Sequence, residues 1–121
     1  MGLTRYLSLV IVVGHSNCGG AAACIAPAPD LPDSPLVRWL TPLANLAQSL
    51  GVGSLQPDEA LSLLVKENVK QQVQNLTKMN TIKEAENVQV HGWVYDLPTG
   101  TLNDLGIEAR FFLHLTSRSQ L

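Results

Sequence analysis

The stretch "VIVVGHSNCGGAAAC", Val10 to Cys24, decides how this chain is read. A β-branched apolar run stops at Gly14, and His15, Cys18 and two further glycines follow at once. Extended backward as "LSLVIVV", Leu7 to Val13, the run has the near-continuous apolar character of a strand buried on both faces. The glycines end that strand in a tight loop, and "AAACIA" opens a helix. Strand, polar loop and helix make half of a βαβ unit. Two soft donors stand at its mouth.

The outward reading gives alternating elements. "PAPDLPDSP", Pro27 to Pro35, breaks the first helix. Leu36, Leu40, Leu43, Ala47 and Leu50 mark a helical face, with Pro42 expected to bend the helix or restart it. Pro57, Asp58 and Glu59 form a helix start, and Leu61, Val65, Val69, Val73 and Leu76 continue as its buried stripe. In "VQVHGWVYDL", Val88 to Leu97, Val88 and Val90 alternate with Gln89 and His91, which reads as a second strand. Pro98 to Gly100 turn the chain, and "TLNDLGI" returns as a short partner strand. The order predicts an α/β fold: an incomplete three-layer parallel sheet with flanking helices and a C-terminal antiparallel edge hairpin.

Composition narrows the function. The 121 residues suffice for one modest core, and 15% charged residues fall below the usual ~25%. With a net charge of −2 and no Lys or Arg cluster, binding to nucleic acid through phosphate neutralisation is excluded. Two cysteines are too few for a disulfide framework, although Cys18 and Cys24 have the option of pairing together. A reducing, cytoplasmic setting is expected. "MGLTRYLSLVIVVG" imitates a signal peptide, but His15, Asn17 and the glycines interrupt any path to a cleavage site. Tyr6 stands where myristoylation expects Ser or Thr, and no run reaches the ~18 apolar residues of a membrane span. The sequon Asn75-Leu76-Thr77 falls on a helix and is treated as chance.

The glycine turn fails the phosphate-binding patterns. Ala21 and Ala22 follow where a P-loop needs Lys and Ser or Thr, and the dinucleotide glycine spacing is missing. Three readings stay open from the residues alone. His15 and Cys18 are a hydrogen-bonded histidine and a small buried cysteine, or a nucleophile with its base, or two metal ligands. The two-residue gap lets one loop set both on one ion, and imidazole and thiolate both suit zinc.

Three blocks carry a resemblance. "VIVVGHSNCGG" (Val10–Gly20), "ENVKQQVQNL" (Glu67–Leu76) and "VQVHGWVYDLPTGTLNDLGI" (Val88–Ile107) together resemble the β-class carbonic anhydrases in order and spacing. The likeness runs from about residue 9 to 107 and leaves 108–121 as a divergent tail, so 1–121 is expected to be a single, truncated domain of that family. It implies reversible, zinc-dependent hydration of CO₂ to bicarbonate, with His15 and Cys18 as two Zn²⁺ ligands and Gly19 in the substrate pocket. The family's third protein ligand and its Asp–Arg pair lie in a Cys-x-Asp-Ser-Arg strand that this sequence lacks. The catalytic residues are therefore unassigned, and the activity of this chain is open. Cys24, His91 and His114 match no family ligand. The expected partners are CO₂ and bicarbonate, with homo-oligomerisation or association with a full-length homologue through an open sheet edge, and neither nucleic acid nor membrane.

Overall fold

The computed structural model describes residues 8–26, 32–85 and 87–111. Eight elements follow in chain order. Strand β1 (Ser8–His15) leads into helix α1 (Gly19–Ile25), α2 (Pro35–Leu50), a 3₁₀ turn (Val52–Ser54) and the long α3 (Pro57–Thr77). A short α4 (Asn80–Glu84) precedes β2 (Val88–Asp96) and β3 (Thr101–Phe111). The sheet order is β1-β2-β3. Strands β1 and β2 run parallel from Ser8↔Val88 to His15↔Tyr95, and β3 returns antiparallel, with Tyr95 opposite Leu102 and Val94 opposite Asn103. These are the pairings the sequence predicts.

Local chemistry accounts for the helix ends. Ser34 caps α2 by accepting from the Val37 N–H at 3.2 Å, and Pro35 occupies the first turn, where a missing N–H is harmless. Gly51 closes the same helix at φ 67° and donates its N–H back to Ala47. Pro42 lies inside α2, which continues unbroken to Leu50. Asp58 and Glu59 in the first turn of α3 complement its dipole.

The core lies between α3 and the sheet. Ala60, Leu64, Val65, Val69 and Val73 of α3 are buried, together with Val88, Val90 and Val94 of β2. The predicted stripe is therefore rotated slightly: Ala60 and Leu64 are fully buried, while Leu61 and Leu76 are only half-buried.

Three expectations change. Strand β1 does not stop before Gly14; it runs through it to His15. Gly14 is kept for contact with α3, where a side chain would collide with Val69, and not for ending the strand. Burial on both faces of β1 is also not found. Leu9 (59% exposed), Ile11 and Val13 (51%) form an outward apolar row, because the described helices pack on the opposite face. Finally, β3 is not short. Residues 108–111 extend it along Gln89 and its neighbours and do not cover β1. A bulge between Gly92 and Trp93 separates the two halves of that ladder: Gly92 faces Ile107, but Trp93 faces Asp104. Leu105 and Gly106 are the two residues in excess. Gly106 takes φ 72°, and its N–H donates to Asp104 Oδ1 at 2.8 Å. Residues 1–7 and 112–121, including His114, lie outside the described residues.

Candidate metal centre

His15 is the last residue of β1, Cys18 the N-terminal cap of α1 and Gly19 the first residue of that helix. The three predicted site residues thus share one turn at the carboxyl end of the sheet. The residue that reverses the chain there is Asn17, with φ 56°. The glycines do not do it, since Gly19 and Gly20 are both helical. Asn tolerates the left-handed region better than other side-chain-bearing residues, so this role was open to sequence reasoning.

The turn is held from β2. The Ser16 N–H donates to Tyr95 O at 2.9 Å, and the Leu97 N–H donates to Ser16 Oγ at 2.8 Å. His15 Nδ1 lies 2.8 Å from Ser16 O. A carbonyl only accepts, so this contact calls for the proton on Nδ1, and a neutral ring bonded this way keeps its lone pair on Nε2. Cys18 is a half-buried free thiol. The geometry leaves one nitrogen and one sulfur available within the turn.

Cys24 has a different environment. Its Sγ lies 3.8 Å from Leu40 O and donates toward α2. Burial raises its thiol pKa above the ordinary value, and the neighbouring Cys18 adds to the effect. Six residues of helix span roughly 9 Å of rise, beyond the ~7 Å Cα reach of a disulfide, and both cysteines are free. His91 contacts Gln89 Oε1 at 3.3 Å on β2. Among the described residues no three His, Cys, Asp or Glu side chains are grouped to hold a metal. His15 and Cys18 fit two positions of a zinc site by donor type, and the described residues provide no third.

A cleft of about 530 Å³ opens beside the turn, bordered by Ser16, Asn17, Asp58, Lys66, Asp96 and Asp104. Gly19 does not border it. A side chain at Gly19 would meet nothing within 4 Å, so open space lies directly next to Cys18. Ser16 is the site residue that sequence reasoning missed. Its bond to Leu97 spans 81 positions and leaves no local signal.

A parallel β1–β2 pair crossed by α3, with two potential metal donors at the carboxyl end of β1, defines a protein of the α/β class. The family model described as carbonic anhydrase matches residues 5–102. The chain is 31% identical over 117 residues to a carbonic anhydrase of Pseudomonas aeruginosa, covering 93% of this chain and 53% of that one. It is 30% identical over 121 residues to carbonic anhydrase 1 of Escherichia coli O157:H7, covering 95% and 54%. The solved β-carbonic anhydrase CafA of Aspergillus fumigatus superposes with TM-score 0.73 at 35% identity, covering 82% of this chain and 49% of that one. One from Sordaria macrospora, described as tetrameric, gives 0.75 at 26% identity, covering 84% and 54%. The chain belongs to the β-carbonic anhydrase family, and it spans about half the length of the curated relatives it matches. No helix among the described residues is long and apolar enough to cross a membrane.

Proposed function

We propose that His15 and Cys18 are two protein donors of a zinc-dependent carbonic anhydrase centre, and that the reaction served is the reversible hydration of CO₂ to bicarbonate. The observation that carries this reading is the state of His15. Its Nδ1 is engaged by Ser16 O, which frees Nε2 in the same turn as the free thiol of Cys18. Membership of the carbonic anhydrase family supplies the chemistry that such a donor pair serves. Bound zinc would act as a Lewis acid that activates water near neutral pH.

The chain's own residues have limited, definable parts in this. His15 binds through Nε2, and Cys18 binds as a thiolate. Gly19 keeps the space beside Cys18 clear, which suits a small linear substrate. Remaining donors and the groups that orient the nucleophile are not among the described residues. Assembly belongs to the same reading: the tetrameric Sordaria relative and the outward row Leu9, Ile11 and Val13 both support oligomerisation. Free thiols at Cys18 and Cys24 support a reducing compartment such as the cytoplasm.

The test is zinc binding by competition with a chromophoric chelator, paired with stopped-flow CO₂ hydration. The 121-residue chain should bind zinc weakly and hydrate CO₂ slowly, because structural and catalytic zinc sites use three or four protein ligands. His15→Ala and Cys18→Ser should each abolish what binding there is. Binding that survives both substitutions would overturn the assignment.

A further inference from the structure

Three hydrogen bonds from three directions meet on Ser16. Its N–H donates to Tyr95 O, its Oγ accepts from the Leu97 N–H, and its carbonyl accepts from His15 Nδ1. We propose that Ser16 is a positioning residue: its hydroxyl, fastened to the β2–β3 turn, fixes the peptide that selects the Nδ1–H tautomer of His15 and leaves Nε2 free to donate its lone pair.

Regular β1–β2 pairing ends at His15↔Tyr95, and the Ser16 N–H adds one last bond to Tyr95 O. Beyond that point the chain reverses at Asn17, so no strand partner holds the Ser16 carbonyl in place. A bond from a histidine ring to the carbonyl of the very next residue exists only while that peptide keeps one orientation. The bond from Leu97 to Ser16 Oγ restrains it. Leu97, in turn, begins a rigid turn: the Gly100 N–H donates to Asp96 O at 2.8 Å, Gly100 takes φ 69°, and Thr99 Oγ1 bonds the Asp96 carboxylate. The hydroxyl therefore transmits the geometry of the hairpin turn to the imidazole.

A solvent-exposed histidine with no such partner carries its proton mainly on Nε2, which would occupy the nitrogen left unbonded here. Holding the ring in the other tautomer removes that competition before any ligand arrives. Partners of this kind around a ligand histidine typically change metal affinity by 10–100-fold. Ser16 touches neither substrate nor metal in this scheme. It acts through His15.

The zinc part of this inference rests on the reading of His15 as a ligand, whereas the tautomer part does not. The experiment therefore has two arms on the ¹⁵N-labelled 121-residue chain. In zinc-free buffer at about pH 9, where a histidine ring is neutral, long-range ¹H–¹⁵N spectra report which nitrogen of His15 is protonated. The unsubstituted chain should show Nδ1–H. Ser16→Ala should shift the population toward Nε2–H, and Ser16→Thr, which keeps a hydroxyl, should restore the parent pattern. In the second arm, with Zn²⁺ alone, Ser16→Ala should bind about tenfold more weakly while Ser16→Thr matches the parent. An Nε2–H pattern in the unsubstituted chain overturns the proposal, and that measurement needs no variant to fold. So does a folded Ser16→Ala chain with the parent tautomer. If no form binds zinc, the ligand assignment of His15 fails, and the tautomer arm alone decides the role of Ser16.

Discussion

Cγ2 of Val69 lies 2.7 Å from where a Cβ on Gly14 would stand. The other γ-methyl of the same valine lies 2.8 Å from the corresponding point on Gly92, on the neighbouring strand. Helix α3 therefore sits on β1 and β2 at a depth set by two missing side chains. Gly14→Ala and Gly92→Ala should each destabilise the fold by about 1–3 kcal/mol, the range for overpacking a well-filled core. Val69→Ala makes room, so combined with Gly14→Ala it should lose less stability than the two single changes added together. Urea unfolding of the four chains checks this; strict additivity would show that Val69 is not the obstacle.

The indole nitrogen of Trp93 is buried with no acceptor among the described residues. An unpaired buried donor costs roughly 1–3 kcal/mol, whereas the smaller ring of Phe gives up some packing. Trp93→Phe should leave the melting temperature unchanged or raise it. A marked fall would mean that the N–H has a partner.

Pro42 interrupts the hydrogen-bond ladder of α2 without ending the helix. An interior proline is about 3 kcal/mol less favourable than alanine, and its stiffening of the unfolded chain returns up to about 1 kcal/mol. Because Pro42 is exposed, Pro42→Ala should add about 2 kcal/mol. A higher denaturant midpoint with an unchanged slope would bear this out; a loss would show that Pro42 supports the packing of α2 against α1.

Burial, reinforced by Cys18, holds the Cys24 thiol above its ordinary value. The folded chain therefore binds this proton more tightly than the unfolded chain does. The resulting stability is complete below the unfolded value and disappears as pH rises through the folded one. Thermal melts should fall as pH rises past the ordinary thiol range, and Cys24→Ala should flatten that fall. Equal slopes for both chains would contradict the assignment.

The parallel pairing was legible because the run Val10–Val13 and the alternation at Val88–Val90 are strong signals that point to one sheet. The β1–α1 junction that brings His15, Cys18 and Gly19 together was legible because the three are close in sequence. The exposed row Leu9, Ile11 and Val13 was not, since an apolar residue reads the same whether or not a layer covers it. Ser16 was hidden by distance along the chain. The extent of β3 was hidden beyond Ile107, where the tail carries no turn signal and the pairing with Val88–His91 is set by a strand distant in sequence.

The bulge between Gly92 and Trp93 also constrains how β3 is able to change length. Side chains along a strand alternate faces with a period of two, and the excess here, Leu105 with Gly106, is a pair. Asp104 therefore keeps the face it would have had opposite Trp93 in an unbroken ladder, and Ile107 stays over Gly92. Removing Leu105 and Gly106 together should leave the Thr101–Asp104 ladder and its faces intact, whereas a change of one residue has to be absorbed by the bulge itself. The bulge is thus the place where this hairpin takes up a change in strand length.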